Sequence, residues 1–421
     1  MNKQQVIRYI PYSILFVSIL SLNPYSIYPI GNTATTWIIN MLILFSFYSV
    51  KPYLNLKTYK NELNIINFYL YYNIFCFFRG LFIAESYWDF KALFSNGLAL
   101  LLPIVSFAGT NTSFVKGIIV FYLKFTLPLF LIFYFIILSK GASGFYLVPI
   151  SFLALFLPLI NKPWNWLVLS ICIFVAVIEL GARSNVIKFI IPLIFSSLYY
   201  FKIVHQKRIL ELIRKLIFAI PIAFLMLALF WNFNIFNING YVEGNFEVNR
   251  SEKIGGKNVK EDLTVDTRTP LYLEVISTAQ KYNSWIIGRS PARGNETELF
   301  SSLAEITGRK ERAGNEVAIL NIFTWTGIIG VIFYFIIFYR ASYLAVNYSN
   351  NIFSKILGLY IGFRWCYAWV EDINYFTLTT FFLWITIGFC YSISFRKMTD
   401  KEVQFWVNSI FKGLSTSKTR V

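Results

Sequence analysis

The 421-residue sequence predicts an all-α polytopic membrane protein of about twelve transmembrane helices with one large extracytoplasmic loop. Three observations predict it. Hydrophobic residues make up 57% of the chain and charged residues 14%, with a mean hydropathy of +0.57, a balance foreign to soluble domains. Apolar runs recur along the chain and are too long for barrel strands, which alternate over about ten residues. The runs stop once, between Asn234 and Glu316, and then resume.

In order, the apolar runs predict spans at 9–22, 34–50, 65–84, 95–109, 118–138, 144–160, 164–180, 185–203, 214–233, 317–339, 353–370 and 375–395. The first run breaks at Asn23-Pro24, lacks a small-residue cleavage site and reads as a retained span rather than a signal peptide. The chain then divides into spans one to nine (1–233), a polar loop (234–316), spans ten to twelve (317–395) and a basic tail (396–421).

The net charge is +17. Twenty basic residues fall in the segments proposed as cytoplasmic, whereas the short outer loops hold three, Lys91, Lys140 and Arg183. This is the positive-inside pattern of a membrane protein with both termini in the cytoplasm, and no nucleic-acid partner is expected. The large loop falls outside and is nearly neutral, with 11 basic and 12 acidic residues. Within it, Thr269-Pro270 predicts the N-cap and first residue of a helix running to about Asn283. A second helix is expected from Asn295, with Glu298 completing a capping pattern, an apolar stripe of Leu299, Phe300, Leu303 and Ile306, and a stop at Gly308. Residues 234–266, rich in Asn, Gly and charge, read as irregular.

The four cysteines, Cys76, Cys172, Cys366 and Cys390, all lie in predicted spans, so neither a disulfide framework nor a Cys-based metal site is expected. The single histidine, His205, is placed in the cytoplasm, away from outer-face chemistry. No phosphate-binding P-loop, zincin pattern or nucleophile elbow is present. Neither a metal nor a cofactor is expected.

Charges at membrane depth are the first candidates for function. Arg79 lies in the third span, Arg364 in the eleventh, and Arg183 opens the eighth. Such residues face a wet cavity or pair inside the bundle, so each is either a structural ion pair or part of an anion site. Guanidinium forks suit phosphate oxygens. In the loop, Arg289 and Arg293 sit in a Gly/Pro-bounded turn before the expected second helix, and Arg309, Arg312, Asn315 and Glu316 precede membrane re-entry. The competing reading is a solvated interface decorated with charge. Trp88 and Asp89 follow Arg79. Trp365 and Trp369 precede Glu371 and Asp372. Aromatic belts account for tryptophans at an interface, while aromatic faces beside carboxylates also suit a sugar diphosphate.

At three places the chain resembles the bacterial O-antigen polymerases, the Wzy-type oligosaccharide repeat-unit polymerases. These are Phe78-Arg79-Gly80-Leu81-Phe82 with Tyr87-Trp88-Asp89, Gly288-Arg289 through Asn315-Glu316 into Asn321–Gly330, and Phe363-Arg364-Trp365 through Trp369 to Glu371-Asp372. The resemblance implies a membrane glycosyltransferase (GT-C-like) architecture and a lipid-linked substrate, undecaprenyl diphosphate carrying an oligosaccharide repeat. It also implies a separate chain-length regulator as partner. Related ligases carry an important histidine in the outer loop, which this loop lacks. On this reading Arg289 and Arg293 stabilise the departing diphosphate, and Glu298 or Glu371 serves as general base, with Asp89 a further choice. Arg79, Asp89, Arg183, Arg309, Arg312, Asn315, Arg364, Trp365, Trp369 and Asp372 bind the substrate. An O-antigen ligase, a lipid-linked oligosaccharide flippase or other transporter, and a non-catalytic scaffold are the rival readings.

Overall fold

A computed structural model describes residues 10–28, 31–54, 60–134, 140–178, 183–231, 234, 236, 247–251, 258–262, 266, 268–298 and 307–415. The first part holds helices α1 (Ser13–Leu22), α2 (Thr33–Val50), α3 (Lys60–Ile83), α4 (Tyr87–Leu100), α5 (Val105–Gly109), α6 (Thr112–Phe121), α7 (Leu127–Tyr134), α8 (Ser143–Tyr146), α9 (Val148–Ala154), α10 (Trp164–Ile178), α11 (Arg183–Ser197) and α12 (Lys207–Trp231). The polar stretch carries an antiparallel strand pair, β1 (Glu247–Ser251) with β2 (Asn258–Asp262), then helix α13 (Thr269–Lys281) and a short pair, β3 (Asn295–Glu296) with β4 (Glu311–Arg312). Helices α14 (Ala318–Asn347), α15 (Ile352–Tyr367), α16 (Leu378–Tyr391), α17 (Ile393–Lys397) and α18 (Asp400–Ser415) complete the chain.

This is a helical membrane protein. Five stretches are long and apolar enough to cross a bilayer: Thr33–Tyr53, Glu62–Ile83, Tyr87–Gly109, Thr112–Tyr134 and Ala318–Asn347. Ile10–Tyr25, Trp164–Ile178, Ser184–Tyr200 and Leu378–Tyr391 are shorter apolar helices. Large apolar side chains such as Phe45, Phe75 and Phe82, the last 90% exposed, stand uncovered on the outer helices. Water would penalise such a surface and lipid does not.

At the centre lies α16, every residue of which is buried. It packs on α5, α14 and α15, and Gly109 and Gly388 meet where α5 and α16 cross at backbone contact. In lipid, close packing and buried hydrogen bonds, rather than water exclusion, hold helices together. Here Ser392 Oγ donates to the Thr110 carbonyl at 2.7 Å and Tyr391 Oη to the Ile337 carbonyl at 3.2 Å.

Several expectations change. Residues 144–160 are not one helix. Pro149 and Pro158 fall in a stretch broken into α8, α9 and a 3-10 turn, because proline removes a ladder donor and clashes with the preceding turn. Within the span expected at 118–138, residues 118–134 belong to α6 and α7 joined by a π-turn at Tyr122–Thr126, and 135–138 lie outside the described residues. Trp88 and Asp89 belong to the first turn of α4, not to a loop. Thr269 is not the cap of α13: the Asp266 carboxylate accepts from the amides of Arg268 and Thr269 at 3.0 and 2.9 Å, and the helix ends at Lys281. No helix starts at Asn295, where β3 forms instead. The stripe at 299–306 lies outside the described residues. The stretch read as irregular contains β1 and β2, and most of the tail is the helix α18, docked through Val403, Val407 and Ile410.

Candidate functional site: an arginine–carboxylate layer on the polar loop

The polar loop is fastened to the bundle at a kink. Gly327 interrupts α14 with φ +67°, ψ −168°, which only glycine adopts without strain. The opened helix accepts the loop backbone: Arg289 N–H donates to the Thr324 carbonyl at 2.7 Å, and Ile328 N–H to the Trp285 carbonyl at 2.9 Å. Gly288, at φ +66°, lies so close that a Cβ there would stand 2.6 Å from the Thr326 and Gly327 amide nitrogens. Arg79, at the end of α3, donates through Nη2 to the carbonyls of Ile287 and Gly288 at 2.7 and 2.9 Å. It therefore grips the turn that presents Arg289.

Beyond the turn, Arg289 and Arg293 share one carboxylate. Arg293 meets Glu311 in a fork, Nε to Oε2 at 3.0 Å and Nη2 to Oε1 at 2.6 Å. Arg289 donates to Glu311 Oε1 at 3.1 Å and to the Gly294 carbonyl at 2.6 Å, and lies 3.9 Å over the Tyr282 ring. The β3–β4 pairing sets this geometry by placing Glu311 opposite Glu296 and bringing its segment beside Arg293. Burial pushes the Glu311 carboxyl up, but its bonds to Arg293 and the charges of Arg289 and Arg293 outweigh that and hold it below its ordinary range.

Two further clusters continue the layer. Arg309 donates to both oxygens of Asp89, at 3.3 and 3.1 Å, and to Glu85. Asp89 also caps α4 in a reciprocal box with Ser86. Arg312 pairs with Glu316 at 3.1 Å, and Arg268 bridges Glu316 to Glu371, the latter at 3.5 Å. Burial raises the Glu371 carboxyl against the opposing charges of Lys188 and Arg268. Burial pushes Asp372 up to about 7, although Asn374 N–H and Asn321 Nδ2 each donate to it at 2.8 Å.

The remaining sequence candidates scatter. Asn315 is buried; its backbone is gripped by Asn321, and its side-chain Oδ1 and Nδ2 lack partners among the described residues. Glu298 is exposed, and its amide donates to Glu274 at 2.9 Å. Trp365 is 1% exposed and packs against Phe218, Phe335 and Phe338, which makes it a core residue rather than a sugar-facing surface. Trp369 is half-buried beside Tyr272, whose hydroxyl donates to its carbonyl at 2.6 Å. Arg364 is buried below the layer. Arg183 opens α11, and its side chain lies outside the described residues.

Arg268, Glu85 and Lys188 are partners that sequence reasoning did not single out, and Glu311 stood there only as one charge in the cluster before membrane re-entry. Lys188 inside an apolar run was a readable signal. The meeting of Arg309 with Asp89, 220 residues apart, was not. Among the described residues no three His, Cys, Asp or Glu side chains converge as a metal would require.

Beside the layer runs an apolar groove of about 580 Å³ between α12, α13 and the end of α15. Phe224, Leu225, Tyr272, Ile276 and Trp369 line it, with Asn234 and Thr269 in the same wall. Arg268 and Glu371 are the chain neighbours of its lining residues Thr269 and Val370. The arrangement offers an apolar chain and an anionic head adjoining berths, although every loop arginine described above already faces a carboxylate or a carbonyl. Compared with protein-family models, curated proteins and solved structures, the chain matches none of them.

Proposed function

We propose that the chain polymerises undecaprenyl-diphosphate-linked oligosaccharide repeat units into O-antigen or capsule-type polysaccharide at the periplasmic face of the bacterial inner membrane. In this reading the chain crosses the membrane about twelve times with both termini inside. An acceptor sugar hydroxyl attacks the anomeric carbon of the carrier-linked glycan. The anomeric carbon–oxygen bond to phosphate breaks, its electron pair leaves with the diphosphate, and a carboxylate takes the hydroxyl proton.

The observation that carries this reading is the apolar groove beside an arginine–carboxylate layer, a pairing suited to a polyprenyl chain with an anionic head. Arg289 and Arg293 stabilise the charge that grows on the leaving group. For them to do so, the diphosphate must take over the berth of Glu311. Glu371, half-buried beside Lys188 and Arg268, follows the groove residue Val370 and would serve as the base.

The test is a surface-glycan ladder from a strain lacking the gene, complemented with wild type or with Arg289→Ala. A single repeat unit without a ladder, in the empty strain and with Arg289→Ala, supports the polymerase. Complete loss of surface repeats with lipid-linked units retained inside indicates a flippase. Long polymer accumulating on its carrier indicates a ligase, and an unchanged ladder with Arg289→Ala removes the assigned role of the loop arginines.

A further inference from the structure

Below the polar layer, α9, α11, α15 and α16 enclose a small cavity of about 20 Å³. Two cationic residues line it, Lys188 of α11 and Arg364 of α15, together with the hydroxyl side chains of Ser151, Thr379, Thr386 and Tyr360; the rest of the lining is aliphatic or aromatic. No carboxylate lines it. Arg364 is 4% exposed, and its Nε and Nη2 have no hydrogen-bond partner among the described residues. The Thr379 hydroxyl in the same wall is also without one.

The Arg364 guanidinium lies 5.5 Å from the Tyr367 ring but meets no carboxylate among the described residues, so the cost of its desolvation is not repaid there by an opposite charge. The lining offers donors and no strong acceptor. Ser151 and Thr386 already donate their hydroxyl protons to the carbonyls of Lys188 and Phe382, at 2.6 and 2.7 Å. Lys188 bonds Asn185 Oδ1 at 3.0 Å, lies 4.2 Å from the Phe145 ring and acts on Glu371 above it. Of the two cations in the lining, Arg364 is the one with no carboxylate beside it among the described residues. The volume admits one particle of roughly water size, too little for a tetrahedral oxyanion.

We propose that this cavity binds one small monovalent anion of halide size, held by Arg364 Nε and Nη2 and the Thr379 hydroxyl in the positive field of Lys188. The bound anion ties α9, α11, α15 and α16 together beneath Glu371. This site is separate from the diphosphate berth proposed for the loop and does not depend on it.

The experiment measures thermal unfolding of the purified full chain in detergent, titrating sodium bromide against sodium gluconate at constant ionic strength. A saturable rise in Tm with bromide is expected for the wild type. It should be lost in Arg364→Gln and shifted several-fold to higher bromide in Thr379→Val, which keeps the side-chain shape and removes only the hydroxyl. Crystals grown in bromide should show an anomalous peak between Arg364 and Thr379, a readout that stands even if Arg364→Gln does not fold. An equal bromide response in wild type and Thr379→Val, stabilisation by inorganic phosphate but not bromide, or bromide found only at Arg289 and Arg293 would each overturn the proposal.

Discussion

Arg289 and Arg293 on the polar loop lie against the carboxylate of Glu311, whereas Arg364, deeper among the helices, shares its cavity with Lys188 and meets no carboxylate among the described residues. The loop arginines are positioned, neutralised and partly spent on architecture. They hold β4 against the turn at Gly288, and a ligand reaches them only by exchange with Glu311. Arg364 keeps its positive field and lacks a counter-charge of its own. The same residue type thus serves as a fastening where a carboxylate is supplied, and as an open anion receptor where none is.

Four changes break or sharpen this contrast. The largest effect is expected from Arg289→Ala on polymer formation, a loss of roughly 10²–10³-fold, the scale of removing one preorganised donor to a developing anion. Ladder density normalised to protein in the membrane measures it. Next comes Glu311→Gln, which leaves two largely buried guanidiniums without their counter-charge and should cost about 3 kcal/mol. Denaturation of the purified protein reads this, and a loss under about 1 kcal/mol would mean that the fork contributes little. Arg364→Met, by contrast, removes an uncompensated charge; in bromide-free buffer it should change stability by less than about 1 kcal/mol or raise it.

The fourth test is in pH. The Asp372 carboxyl is raised in the fold to about 7, so folding favours its protonated form. Its contribution is fully present below the ordinary carboxylate range and falls as pH rises towards about 7. Glu311 and Glu316 run the other way: both are held low, so their contribution is present above the ordinary range and is lost in acid. Asp372→Asn should therefore flatten the decline in Tm between about pH 4 and 7, with the raised Glu371 carboxyl sustaining the remainder, and leave the acid limb unchanged. A pH profile identical to wild type would refute the assignment.

Much of the helical arrangement was readable from hydropathy, because long apolar runs have few backbone solutions in lipid. The apolar stretches around 34–50, 65–84 and 317–339 do lie in long helices. The misreadings have local causes. Asn295-Glu296-Thr297-Glu298 has the composition of a helix start, yet Glu296 N–H goes to Thr278 Oγ1 at 3.0 Å, and Asn295 and Glu296 pair with Arg312 and Glu311, so non-local pairing overrode the cap. Asp266 displaced Thr269 as cap because a carboxylate two or three residues upstream reached both amides. In the site, residue type was legible and partnership was not. Arg293 reads as a free anion binder until Glu311 arrives from the facing strand, and Lys188 and Arg364 come together only when α11 and α15 line one cavity.

The grip of Arg79 on the turn at Ile287 and Gly288 joins residues 208 positions apart and depends on the open kink of α14 at Gly327. During synthesis, then, α3 and α4 enter the bilayer long before their partners exist. Arg79 and Asp89 must wait at the membrane surface, hydrated, while the intervening chain is made. The layer is consequently completed only after α14 has been made. A polypeptide truncated before Gly327 lacks the kink that receives this turn, so the grip of Arg79 has nothing to close on.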